Sequence, residues 1–177
     1  MAQHSTDLDL AAVERWCAAH VPGFAGPLSA RKFAGGQSNP TYLLHTPGAA
    51  YVLRRKPPGK LLKSAHAVER EFRVQRALWG SGVPVPRMLA LCEDDTVIGS
   101  TFYVMQHVEG RNFPDPRLPE LPHAARAAVF DEMNRVLATL HGLDYTALGL
   151  GDYGKPGNYF DRQLGRWSAQ YRAAETA

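Results

Sequence analysis

The chain has 177 residues, 45% hydrophobic and 21% charged, which is the balance of a folded soluble protein and excludes a disordered one. Its net charge of +3 suits an anionic ligand but is too small to argue for nucleic acid. The length allows one domain, or one domain and a piece of a second, and two isolated cysteines, Cys17 and Cys92, form neither a disulfide framework nor a metal-ligand pattern.

The first residues, Met1-Ala2-Gln3-His4-Ser5, lack a charged-then-apolar signal pattern, and no apolar run approaches membrane-spanning length. A cytoplasmic protein with reduced thiols and no membrane partner is expected. Asp7 to His20 reads as a first helix. Asp7 is its expected cap, Asp9 lies in the same cap region, and Leu10, Val13 and Cys17 share one face before Pro22-Gly23 ends it. A glycine-rich stretch follows, Gly35-Gly36-Gln37-Ser38-Asn39, and runs into the apolar Tyr42-Leu43-Leu44. The turn Thr46-Pro47-Gly48-Ala49 leads to Tyr51-Val52-Leu53 and the cation Arg54, so the segment reads as a hairpin with a glycine loop at its mouth. A glycine-rich turn with a strand-borne cation is one way to hold nucleotide phosphates, and a plain hairpin with a solvated basic end is the other reading.

Ser64 is the expected cap of a second helix reaching about Trp79, with Val68, Phe72 and Leu78 as its apolar stripe and Gly80 and Gly82 as its stop. Glu71 lies beside that stripe and needs a partner, because an unpaired charge on a packing face is expensive. Arg54 is the natural candidate; pairing with Arg70 or Gln75 on the helix rim is the alternative. Met88 to Cys92, the turn Glu93-Asp94-Asp95 and Val97 to Met105 read as a second hairpin, which continues into Gln106-His107-Val108. Residues 109–122 hold four prolines and read as a linker. Two helices follow, His123 to His141 with Val129, Met133, Val136, Leu137 and Leu140 on one face, and Asn158 to Ala174 with Phe160, Leu164, Trp167 and Tyr171. His66 and His123, near helix starts, read as solvated.

The ordered run GGQSN-TYLL, YVLR, VEREFRVQRAL, VPVPRMLAL and FYVMQHVEG resembles the aminoglycoside phosphotransferase-like (choline kinase-like) branch of the protein-kinase-like fold. It is most similar to the kinase-like domain fused to acyl-CoA dehydrogenases. The resemblance implies an α+β fold. Residues 1–108 would form a nucleotide-binding N-terminal lobe with an antiparallel sheet and helix, 109–122 the hinge and linker, and 123–177 the beginning of a helical C-terminal lobe. By position, Gly35, Gly36, Gln37, Ser38 and Asn39 match the phosphate-covering loop. Arg54 matches the strand cation, more often lysine in the family, and Glu71 the helix glutamate paired with it. Met105 stands before the hinge, and Gln106, His107 and Val108 match the adenine-binding hinge.

The implied function is ATP-dependent phosphoryl transfer to a small-molecule hydroxyl acceptor, with Mg2+ as the family's metal and a hydroxyacyl-CoA as the acceptor that the subgroup suggests. The family's catalytic loop, H-G-D-x-x-x-x-N, is not found. His141-Gly142-Leu143-Asp144 has one residue too many, and Gly149 stands where asparagine would be required. No catalytic residue and no metal ligand is therefore assigned within this chain, which is expected to transfer no phosphate alone. Its last helices are expected to expose their apolar stripes and so to self-associate. A nucleotide-binding or protein-interaction module without catalysis is the alternative; P-loop and nucleophile-elbow motifs are absent.

Overall fold

The structure is a computed structural model that describes residues 8–34, 38–57, 59 and 66–175. Asp7, Gly35, Gly36, Gln37 and Ser64 thus lie outside the described residues. The elements run α1 (Leu10–His20), β1 (Ser29–Lys32), β2 (Thr41–His45), β3 (Ala50–Arg55), α2 (Val68–Leu78), β4 (Met88–Cys92), β5 (Phe102–Gln106), α3 (His123–His141) and α4 (Tyr159–Ala174). They fall into two compact units, residues 1–143 and 144–177.

Five strands make one antiparallel sheet in the order β1-β2-β3-β5-β4. The two-residue alternation of strands divides its side chains between two faces. Tyr42, Leu44, Tyr51, Leu53, Phe102 and Val104 lie in one buried cluster with Val13, Cys17 and Val21 of the α1 region. Trp16 of α1 meets Phe102 edge-on, with ring centroids 4.7 Å apart. Tyr103 and Met88 join Val68 and Phe72 of α2 in the second cluster.

Asp9, one of the two aspartates in the expected cap region, caps α1: its Oδ1 accepts the Ala12 amide at 2.9 Å. The second helix begins at Val68, later than expected, with Ala67 at the cap position and no side-chain cap bond. The stretch from Val97 to Thr101 is not strand, because the Gly99 amide bonds the Asp95 carbonyl at 2.8 Å and Gly99 takes a φ of 79°. The short strand β1, Ser-Ala-Arg-Lys, is an element that the sequence reading lacked. It forms one edge of the sheet, and β4 forms the other with a bulge between Met88 and Ala90. α3 buries no residue, and Phe130, Met133, Leu137 and Leu140 are exposed. In the second unit, α4 likewise exposes Phe160, Leu164, Trp167 and Tyr171. No helix among the described residues is long and apolar enough to cross a membrane.

Cys17 has no exposed surface, and burial, with a smaller contribution from Cys92, pushes its thiol up to about 12. The native chain therefore keeps a proton that an unfolded thiol releases near pH 8.5. This contribution to stability is whole below that pH and is lost progressively as the pH rises toward 12. Urea midpoints measured between pH 8 and 11 should accordingly fall with pH, and a flat or rising profile would contradict Cys17 as a buried, protonated thiol.

Candidate functional site

Alternation along β3 turns Tyr51 and Leu53 toward α1 and leaves Val52 and Arg54 for the opposite face, where α2 lies. There the Arg54 guanidinium meets the Glu71 carboxylate, with Nε donating to Oε2 at 2.7 Å and Nη2 to Oε1 at 3.4 Å. The strand-to-helix ion pair expected from the sequence is thus present. The remaining Arg54 bonds run from Nη1 to Thr41 Oγ1 at 2.9 Å and to the Asn39 carbonyl at 3.4 Å. A guanidinium has five N–H groups, and among the described residues these four bonds engage four of them. Arginine fits here as a planar fork in a way that a lysine point charge would not.

Glu71 is as fully engaged. Besides Arg54 it accepts Asn39 Nδ2 on Oε1 at 2.9 Å and the Tyr103 hydroxyl on Oε2 at 3.1 Å. Burial first, and the Glu71 charge second, push the Tyr103 hydroxyl well above its usual range, so it stays protonated and donates. Lys56, on the same strand face as Arg54, makes a second link to α2 through Glu69 at 2.9 Å. His66 is not simply solvated, since its Nδ1 lies 2.9 Å from Asn39 Oδ1.

Beside this network opens a cleft of about 770 Å³, of a size that accepts small ligands and cofactors. Phe33, Thr41, Val52 and Met105 wall it, together with Val85 and Pro86 and the segment from Gln106 to Asn112. The structure so brings Met105, Gln106, His107 and Val108 to the cleft. Arg54 and Glu71 stand together at its flank, joined to it by Thr41. Ser38 is exposed and Asn39 is buried, neither lining the cleft. Val52 and Thr41 were missed by the sequence reading. Their signal was parity, because Val52 is two residues before Arg54 on the same strand face, and Thr41 pairs with Arg54 across the hairpin.

The connector leaves the sheet where β5 ends. Lys56 donates to the Thr101 carbonyl at 3.0 Å, which fixes the hydrogen-bonding alternation between β3 and β5 and makes Tyr51 and Gln106 a non-bonded pair. On the other side the Gln106 amide donates to the Arg87 carbonyl at 2.9 Å, while the Arg87 amide turns to the Gln106 side-chain oxygen at 3.4 Å. Val108 lies beyond the strand, 61% exposed, and no backbone bond engages its amide among the described residues.

Asp144 accepts the Thr146 and Ala147 amides on Oδ1, at 2.8 and 3.2 Å, as a turn aspartate does. Among the described residues, no group of three or more His, Cys, Asp or Glu side chains comes together to hold a metal ion.

A family profile described as "Phosphotransferase enzyme family" matches residues 29–177. A crystal structure from Ralstonia eutropha JMP134, assigned as an aminoglycoside phosphotransferase, is 55% identical with a TM-score of 0.81, over 96% of this chain and 49% of that one. A thermostable mutant of the aminoglycoside phosphotransferase APH(4)-Ia, in ternary complex with AMP-PNP and hygromycin B, shares the fold. Its TM-score is 0.51 at 19% identity, over 76% of this chain and 40% of that one. Among curated proteins, acyl-CoA dehydrogenase family member 11 of Gallus gallus is 49% identical over 94% of this chain and 22% of its own length. Family member 10 of Mus musculus is 49% identical over 86% of this chain and 14% of its own. The chain thus spans less than a quarter of these curated relatives and about half of the Ralstonia chain.

Proposed function

The chain belongs to the phosphotransferase enzyme family, and from that premise we propose that its cleft holds ATP for transfer of a phosphoryl group to a small-molecule hydroxyl. The observation that carries this reading is the Arg54–Glu71 pair on the sheet face that also walls the 770 Å³ cleft. A cation fixed between a strand and a helix, next to an apolar slot ended by extended backbone, is what a nucleotide with a flat base and charged tail requires. The AMP-PNP complex of the APH(4)-Ia relative supports ATP as the ligand class.

Adenine lies between Val52 and Met105 and the connector, where the Gln106 carbonyl accepts from its amino group and the Val108 amide donates to its ring. The tail runs toward Arg54 and the Thr41 side of the cleft. Arg54 contributes its charge; four of its donors hold the scaffold still, so the cation needs no reorganisation when the phosphates arrive. Magnesium, when bound, neutralises phosphate charge in this chemistry. Among the described residues no three His, Cys, Asp or Glu side chains gather around a metal position, and the role proposed for this stretch is to bind and orient the nucleotide.

The second reading is a nucleotide-binding module without catalysis. What supports it is Asp144, whose Oδ1 accepts two backbone amides as a turn aspartate's does. Calorimetric titration with AMP-PNP tests the common part of both. Val108→Pro removes one amide donor and should weaken binding about tenfold, the size of one net hydrogen bond. Arg54→Ala should weaken it about ten- to hundredfold. Unchanged affinity in both variants would refute the cleft as the ATP site, and steady-state turnover with hydroxyl acceptors separates enzyme from module.

A further inference from the structure

We propose that Asn39 is a positioning residue, the centre of a hydrogen-bond relay from His66 to Glu71 that sets where Arg54 stands and so tunes nucleotide affinity from outside the cleft. The proposal rests on the reading of that cleft as the ATP site. Asn39 sits at the end of the glycine-rich stretch but does not face the cleft, being 3% exposed and turned toward α2. Its two amide ends touch different partners, Nδ2 against Glu71 Oε1 and Oδ1 against His66 Nδ1, each at 2.9 Å.

Polarity orders the chain of bonds. A carboxylate only accepts, so Asn39 must present its NH2 group to Glu71 and its oxygen to His66. His66 must then carry a hydrogen on Nδ1, the nitrogen that is more often bare in a free neutral imidazole. His66 is also held at a φ of 59°, a conformation that non-glycine residues seldom adopt, and its carbonyl accepts the Val68 amide at 2.8 Å where α2 begins. The relay therefore ties the helix start, which has no side-chain cap, to the loop end. The Asn39 carbonyl works in the same direction, accepting from Arg54 Nη1 at 3.4 Å and from the Thr41 hydroxyl at 3.0 Å. Main chain and side chain of one residue thus hold both partners of the ion pair.

Two measurements on the full chain test this. The first needs no nucleotide: nitrogen-15 NMR at about pH 8, where ordinary imidazole is neutral, should find the His66 proton on Nδ1, and Asn39→Leu should move it to Nε2. A neutral His66 protonated on Nε2 in the wild type overturns the relay. The second is AMP-PNP affinity. Asn39→Asp sets a carboxylate against Glu71 and should weaken binding about ten- to hundredfold, the size of one hydrogen bond to a charged group. Adding Glu71→Gln restores a donor–acceptor pair of opposite polarity, so the double variant should bind more tightly than Asn39→Asp alone. No recovery, or no loss in the single variant, overturns the proposal, since a merely space-filling asparagine would not be rescued by reversed polarity. A wild-type chain that binds no AMP-PNP overturns the cleft reading and the affinity part together, while the His66 tautomer still decides whether the relay exists.

Discussion

Phe102→Ala should lower the free energy of unfolding by about 3–5 kcal/mol, the usual cost of emptying a fully buried aromatic site. Phe102 has no exposed surface, stands on a central strand and receives the edge of Trp16. Its loss opens the seam between α1 and the sheet, where Val13, Cys17 and Val21 share its cluster. Domains of this kind hold about 5–15 kcal/mol in all, so the variant should be close to unfolded at moderate urea concentrations. Leu164→Ala on α4 is the matched control. At 69% exposed it should change stability by less than about 0.5 kcal/mol. Urea denaturation followed by circular dichroism measures both, and equal effects would refute the placement of the core against α1.

The second large effect falls on Glu71. Glu71→Ala strands three donors at once, the Arg54 fork, the Asn39 amide and the Tyr103 hydroxyl. Breaking a buried pair costs about 3–5 kcal/mol. The two side chains here keep 28% and 34% of their surface, so solvent screens part of that and about 2–3 kcal/mol is expected. Glu71→Gln keeps an acceptor for Arg54 and should lose about half as much. Thermal or urea unfolding of the two variants gives the comparison. Equal losses would mean that charge, and not the acceptor geometry, governs the site.

What could be read from the sequence follows the range of the forces involved. The hairpin of β2 and β3 was legible because the Pro47-Gly48 turn and the apolar runs on either side are local signals. The partnership of Arg54 and Glu71 was legible because a carboxylate on an apolar stripe calls for a cation, and Arg54 ends the preceding strand, although Arg70 and Gln75 on the helix rim stayed open as partners. β1 was not legible, since Ser-Ala-Arg-Lys has neither alternation nor burial and becomes a strand only by pairing with β2. Val97-Ile98 resembled strand by composition, yet the Asp95–Gly99 bond closes a turn there. Asn39 shows the deepest limit. Membership of a glycine-rich stretch suggested a ligand contact, but which way a side chain turns after such a loop depends on α2, thirty residues later, and on His66, which a surface-histidine prior leaves in water.

The two margins of the sheet bear on how copies of this chain meet one another. A strand at a margin offers unpaired amides and carbonyls to any second strand, and natural sheets close that opening with charge, shortness or a bulge. β1 is four residues long and ends on Arg31 and Lys32, and β4 carries its irregularity between Met88 and Ala90. Extension of the sheet by another molecule is therefore disfavoured at both ends, by lysine and arginine solvation at one and by broken ladder spacing at the other. The exposed apolar residues of α3 and α4 offer no such opening, because the interior backbone groups of a helix bond within it. A contact made through such side chains would leave the native strand pairing intact, which keeps it distinct from the templated growth that an open strand would seed.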